Sequence, residues 1–388
     1  MTSNASDALV GRAAALVPML REQAAANETN RRLSPEVFDA LSAADVFRMT
    51  APKRFGGLEA DFITQCRVLA EIAQGCGSAS WVATIFSAMS WLVGTLSDQA
   101  QEEIFDTRDP RISGVFSPTG KAVRTSGGFI ASGRWGFNTG GHGSNWTVVN
   151  AVAPNAAGIE VPTCMLVPSR ELQRLDDWHA SGMAATGSST IVANDVFVPE
   201  HRTCELPAMI EAQYPARHNS ANLYYRYPLA AVLTVNAAGT PVGIARAAFE
   251  TFRERLPGRP ITYTTYANKA EAPVTHLQIG DAALKIDSAD AHMRLACSTL
   301  DDNAGVELST LARVKARAHV SAATGLARDA VDLLFYSSGA SAIQSHVPIQ
   351  RLQRDMQALA NHAIMHPQTT TETYGRVLCG LAPNTPLY

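Results

Sequence analysis

The chain has 388 residues, enough for two or three packed units that each bury an apolar interior. A hydrophobic share of 46% against 17% charged residues excludes a disordered protein, whose chain has too little apolar surface to collapse. A net charge of −3, with no Lys/Arg-rich tract, excludes general attraction to phosphate backbones, so no nucleic-acid partner is expected.

In chain order, Asp7 to Ala26 places Leu9, Val10, Leu16, Val17 and Leu20 on one side of a helix. Ser34-Pro35-Glu36 predicts a second helix, capped by the serine hydroxyl and opened by a proline suited to the first turn. Gly56-Gly57 breaks the pattern, a helix follows from about Asp61, and Gly75-Cys76-Gly77-Ser78 separates it from Ala79 to Leu96. That last segment carries no charge, so it is expected to be buried. From about Arg111 to Pro199 the chain turns to short strands rich in Val, Ile, Thr and aromatics. Ser126-Gly127-Gly128 predicts a hairpin turn feeding Phe129 to Phe137, and Thr147 to Ala153, Thr163 to Val167 and Thr190 to Val198 supply further strands. After a loop from Tyr214 to Pro228, helices resume to about Gly380, with breaks near 257–273, 303–305, 337–348 and at Pro367.

Helices, then strands, then helices make an α+β layout in separate blocks rather than a doubly wound sheet. No G-x-G-x-x-G follows a strand, so no dinucleotide-binding fold is expected. Met1 to Ala15 lacks the basic start and unbroken apolar core of a signal peptide, and no run of about 20 apolar residues is found. A cytoplasmic protein with no membrane partner is the expectation. The six cysteines, Cys66, Cys76, Cys164, Cys204, Cys297 and Cys379, form no C-x-x-C pair and have no histidine at zinc spacing. They read as reduced thiols, and no metal is expected.

Three segments carry candidate chemistry. Gly133 to Trp146 ends a strand in exposed amides, short polar side chains and an indole, which suit a flat heteroaromatic ring; a glycine-rich turn with two packed tryptophans explains the same residues. Thr186-Gly187-Ser188 offers hydroxyl and amide hydrogens with close backbone approach, as does any Thr/Gly/Ser turn. In Arg351 to His362, Asp355 and His362 are seven apart, two helical turns on one face, so a helix there aims a histidine into a cleft or into solvent.

These segments occur in the order and spacing of a known family. With Pro52-Lys53-Arg54-Phe55-Gly56-Gly57-Leu58, Gly77-Ser78-Ala79-Ser80-Trp81 and Val196-Phe197-Val198-Pro199, the chain resembles the acyl-CoA dehydrogenase superfamily over nearly its whole length. It is most similar to the two-component flavin-dependent monooxygenase branch, which includes the oxygenase component of 4-hydroxyphenylacetate hydroxylase and natural-product tailoring oxygenases. The resemblance implies an N-terminal helical domain (1–112), a central β-domain (113–226) and a C-terminal four-helix bundle (227–388) that assembles a homotetramer. It further implies an oxygenase that hydroxylates or N-oxygenates an aromatic or hydrophobic small molecule, in secondary metabolism, through a flavin C4a-hydroperoxide. Reduced FAD or FMN (FADH2 or FMNH2) and O2 would be its cosubstrates, supplied with electrons by a separate NAD(P)H-dependent flavin reductase.

Carried over residue by residue, Trp135, Asn138, Thr139 and His142 would line the flavin, and Thr186, Gly187 and Ser188 would approach its N5 edge. Arg259 would reach a phosphate of flavin bound mainly by a neighbouring subunit, and Ser338 is a further cofactor contact. His362 matches the active-site histidine of the hydroxylases, with Ser188 and His142 as the other candidate catalytic groups. Trp81, Phe86, Met89 and Trp91 border the substrate cleft in the family, though each also fits a core position. Many acyl-CoA dehydrogenases carry a Tyr-Glu-Gly-Thr stretch with their catalytic base after the Arg-Asp pair. Here His362-Ala363-Ile364-Met365 follows Arg354-Asp355, which counts against the alternative, oxidation of an acyl thioester.

Overall fold

The computed structural model describes residues 3–107 and 109–388. Met1 and Thr2, at the head of the segment read for a leader, and Arg108 lie outside the described residues. The single helix expected from Asp7 to Ala26 is two, α1 (Ser3–Ala15) and α2 (Val17–Asn30). Pro18 explains the division, because it has no N–H to continue the hydrogen-bond ladder. Helix α3 (Pro35–Ala43) starts as expected, with Ser34 Oγ accepting the Val37 N–H at 3.3 Å. Asp61 caps α4 (Phe62–Gly75) in the same way. Helix α5 (Gly77–Val93) is buried at every residue except Ile85, as its lack of charge requires, and α6 (Asp98–Phe105) closes the first helical block.

Among the described residues eight strands follow: β1 (Ile112–Gly114), β2 (Gly120–Thr125), β3 (Gly128–Trp135), β4 (Trp146–Pro154), β5 (Glu160–Pro168), β6 (Gln173–Arg174), β7 (Ile191–Pro199) and β8 (Thr203–Glu205). They form one mixed sheet in the order β6-β7-β3-β2-β4-β5-β8, with β1 pairing alongside β4. The β2–β3 hairpin turns at Gly127, whose φ of +79° is a conformation that glycine adopts without strain. Strand β3 stops at Trp135, two residues short of the expected end, because Phe137 takes a φ of +63° that no strand accommodates.

A short α7 (Leu206–Ile210) leads to α8 (Leu229–Asn236), α9 (Gly239–Glu254), α10 (Pro273–Asp301), α11 (Thr310–Ser337), α12 (Pro348–Ala360) and α13 (Pro367–Leu378). The breaks between α9 and α13 fall where Pro, Gly and Asn placed them; the one between α8 and α9 had no such signal. Leu229–Glu254, which spans α8 and α9, is apolar and long enough by composition to cross a bilayer. Its most apolar stretch is 89% buried within the fold, so it is core helix. Helix α10 packs along α11, and α9, α12 and α13 also pack on α11. One apolar cluster joins these helices to α5, a second fills the space under α1 to α5, and a third lies within the sheet.

Candidate active site

Helix α5 is where the three candidate segments meet. The turn after β3 rests on it: a Cβ added at Gly140 would stand 2.9 Å from Val82 and 2.7 Å from Phe86. That turn brings Thr139 to the segment 186–188, and the side chains interlock. Ser188 Oγ lies 2.9 Å from Thr139 Oγ1 and 2.7 Å from Thr186 Oγ1, while the Thr186 hydroxyl donates to Met183 O at 2.7 Å. The Gly140 N–H donates to Thr186 O, and the Asn138 N–H to Ser189 O. Asn138 is 1% exposed, yet neither its amide nitrogen nor its carbonyl oxygen has a partner among the described residues. A buried primary amide left unpaired costs about 1–3 kcal/mol, so this side chain is built for a polar partner not supplied by the described chain. His142 Nε2 lies 3.3 Å from Ser189 Oγ, and burial, then Arg174 and Arg32, pull its pKa below the usual range. Gly187, at φ +55°, sits where a Cβ would meet His142 at 2.8 Å.

A buried carboxylate ties this turn to α12. Asp355 Oδ1 accepts the Met183 N–H at 2.5 Å, and a Cβ at Gly182 would stand 2.0 Å from Arg354 O, so the loop backbone lies directly on the helix. Arg354 adds a donor to Ser181 O at 2.6 Å and an ion pair with Glu28 of α2 at 2.5 Å. Burial pushes the Asp355 pKa up to about 6, against the lowering pull of the Met183 amide. Its second oxygen faces the start of α5 at Gly77, where helix amides favour negative charge.

Two helical turns beyond Asp355 the expectation needs correction: α12 ends at Ala360, and His362 lies in the turn after the Asn361 C-cap. Its ring meets Trp81 of α5 edge-on, with centroids 5.1 Å apart. His362 is exposed to solvent by surface area, yet protein atoms crowd most of its ring. That enclosure pushes its pKa down to about 4, so the ring is neutral at pH 7. His362 Nδ1 accepts the Ile364 N–H at 3.3 Å. A neutral ring accepting at Nδ1 carries its proton on Nε2, so its remaining polar atom is a donor.

All four aromatic and sulfur residues expected at the substrate cleft are buried in the core. Phe86 packs on Phe38 and Phe47; Met89 packs so closely on Gly114 that a Cβ there would meet its Sδ at 2.4 Å; Trp91 stacks on Tyr225 and donates to Tyr224 O at 2.8 Å. Only Trp81 reaches His362. Trp135 is likewise misread as a flavin wall, because its indole fills the space over Gly120 and Gly133 inside the sheet and donates to Asn150 O at 2.7 Å. Sequence reasoning left Phe137 and Trp178 off the list of site residues. Phe137 is 76% exposed at a positive φ and meets Trp178 edge-on, an unusual investment for a residue that covers no core. Arg259 lies beside Lys269 and Arg255, whose Nε and Nη2 are buried without partners; burial, then Arg259, lowers the pKa of both. Ser338 donates to Leu334 O, and its neighbours Ser337 and Gly339 line a cleft of about 550 Å³ with Ile261, Lys269 and Tyr336. The residues that line this cleft include none of the hydroxyl cluster.

Residues 13–105 match the family model of the acyl-CoA dehydrogenase N-terminal domain, and residues 235–367 that of a C-terminal domain. The chain is 32% identical to the oxygenase subunit HsaA, a flavin-dependent monooxygenase of Rhodococcus jostii, over 95% of this chain and 97% of that one. The chain belongs to this flavin-dependent monooxygenase family. It is 30% identical to the oxygenase component of an FADH2-dependent resorcinol hydroxylase from a Rhizobium species, over 97% of this chain and 95% of the relative. Among solved structures, XiaF from a Streptomyces species, in complex with FADH2 and glycerol, superposes with a TM-score of 0.91 at 31% identity, covering 99% and 98% of the two chains. The α+β, acyl-CoA dehydrogenase-like fold and the two-component monooxygenase class are therefore those read from the sequence.

Proposed function

We propose that this oxygenase component hydroxylates a small aromatic molecule, with reduced flavin delivered by a separate NAD(P)H-dependent reductase, at a site built from His362, Trp81 and the Thr139–Thr186–Ser188 cluster. The observation that carries this reading is His362 held edge-on against Trp81, with its Nδ1 accepting the Ile364 N–H so that Nε2 is left to face a ligand. Reduced flavin, when bound, supplies the two electrons that activate O2. The unpaired Asn138 amide and the buried hydroxyls of Thr186 and Ser188 fit a ring with polar edges, and they would bind and orient it. The His362 Nε2–H donates a hydrogen bond to oxygen in the site, and Trp81 presents an apolar edge to the substrate ring. Phe137 and Trp178 exclude water from the polar cluster.

The same reading takes a homotetramer as the working form, with Arg259 and the cleft at Ser337 to Ala340 holding the phosphate end of flavin bound mainly by a neighbouring subunit. Its support is the cation cluster of Arg255, Arg259 and Lys269, in which Arg255 Nε and Nη2 are buried without a partner among the described residues, together with an apolar stripe, Leu277, Leu284 and Leu295, exposed along α10. FAD and FMN both fit this chemistry. Pigment-production hydroxylases among the relatives favour a place in secondary metabolism.

The test combines the purified protein with a flavin reductase, NADH, O2 and a panel of phenols. Reduced flavin is expected to bind at least about tenfold more tightly than oxidised flavin, a gap of roughly 1.4 kcal/mol. Starting from oxidised flavin and NADH, hydroxylated product should appear only with the reductase present. Consumption of NADH by the protein alone, or bleaching of tightly bound oxidised flavin by an acyl-CoA, would overturn the proposal.

A further inference from the structure

The turn that carries His362 is held from below by a buried arginine. We propose that Arg317 of α11 is a positioning residue that clasps this turn, and that the segment 384–388 completes the clasp. Arg317 is 8% exposed. Its Nε donates to Ile364 O at 3.2 Å, its Nη2 to Ala363 O at 3.2 Å, and its Nη1 to Leu387 O at 2.5 Å. Two adjacent carbonyls, immediately after His362, thus meet one planar fork, and the third acceptor comes from the far end of the chain.

Each part has a physical reason. The carbonyls of residues 363 and 364 lie just past the end of α12, where unpaired acceptors and the helix dipole favour a cation. A guanidinium stays protonated even when burial lowers its pKa, as it does here, so the three carbonyls receive charged donors that a lysine could not deliver in the same plane. Met365, fully buried with Thr324 Oγ1 at 3.7 Å from its sulfur, anchors the other end of the turn. Between these anchors the Ile364 amide is pointed at His362 Nδ1, which sets the tautomer.

The closing segment is itself fastened. Arg376 donates to Ala382 O at 3.1 Å, Thr373 Oγ1 to Asn384 Oδ1 at 2.8 Å, and the Tyr388 ring lies under the Arg313 guanidinium at 5.8 Å. Helix α13 therefore returns the chain to α11 one turn from Arg317. Among the described residues no hydrogen bond or ring contact joins that segment to His362, so its effect passes through Arg317.

The clasp rests on the assignment of His362, and the experiment separates the two. Residues 384–388 are removed from the otherwise full chain, and Arg317→Lys is made alongside as the variant that keeps charge but not the fork. Amide exchange at Ile364, the NMR titration of the His362 ring (assigned by its loss in His362→Ala), reduced-flavin affinity and product formed per reduced flavin are measured. In the shortened chain the Ile364 amide is expected to exchange at least about tenfold faster, in line with a local opening of roughly 1.4 kcal/mol. The His362 pKa should rise from about 4 towards the usual histidine value, and product per flavin should fall several-fold while flavin affinity holds within about twofold. Arg317→Lys should fall between the two if it folds; if it does not, the shortened chain carries the test. Parental exchange, titration and yield in the shortened chain would overturn the clasp. Altered exchange and titration with unchanged yield would support the clasp and remove His362 from the chemistry instead.

Discussion

His362→Ala is expected to fold, to bind reduced flavin nearly as the parent does, and to form product about two to four orders of magnitude more slowly, the usual scale for losing a proton-handling group. Folding should survive because the ring is partly open to solvent, and the hydrogen bonds lost are confined to its own turn. Flavin binding should survive because the hydroxyl cluster is held by Met183, Asp355 and Gly182, none of which touches the imidazole. The pH profile gives the sign of the role. A folded pKa near 4, below the ordinary value of about 6.5, leaves His362 neutral across the working range. No limb near 6.5 is expected from it, and its donor geometry is lost only as pH falls through about 4. For stability the sign is the same, since the neutral ring is favoured in the fold, and that contribution is present above about 6.5 and lost as pH falls towards 4. Single-turnover product formation with pre-reduced flavin measures the rate. Parental turnover in His362→Ala, with loss in His142→Ala, would transfer the assignment to His142.

The fold was legible because its signals are local. Ser34 and Asp61 cap the helices they were expected to open, the uncharged α5 is buried, and the prolines and glycines between α9 and α13 fall at real breaks. The site was legible only in part, because proximity across the fold has no local signal. Nothing near Trp135 says that Gly120 and Gly133 vacate space for its indole, which sends it into the sheet rather than towards a cofactor. Phe86, Met89 and Trp91 share an apolar helix with Trp81, but only Trp81 lies opposite the end of α12. Counting seven residues from Asp355 gave His362 a helical face, whereas the helix stops two residues earlier and the ring is set by a turn. Arg317 was invisible for the same reason, since a charged residue at a helical position reads as surface until its acceptors, 46, 47 and 70 residues away, are known.

Gly182→Ala is expected to lower product yield about a hundredfold while leaving most of the secondary structure in place. The added Cβ would stand 2.0 Å from Arg354 O and 3.0 Å from the Asp355 amide nitrogen, both backbone atoms of α12 that have no rotamer to escape into. The loop must therefore lift from the helix by roughly an ångström or more, a misplacement large enough to cost about 10²-fold in rate when it reaches reacting groups. It does reach them, because Met183 follows directly: its amide bonds Asp355, and its carbonyl receives the Thr186 hydroxyl that sets Ser188. Forcing the methyl in costs about 1–3 kcal/mol of stability, and leaving the buried Asp355 carboxylate short of a donor adds about 1–3 kcal/mol more. Gly11→Ala is the control, since nothing lies within 4 Å of a Cβ there and α1 gains a better helix former, worth about 0.5–1 kcal/mol. Product and hydrogen peroxide formed per reduced flavin, read beside thermal midpoints, measure both effects. A Gly182→Ala protein with parental yield would mean that the contact between this loop and α12 does not position the site.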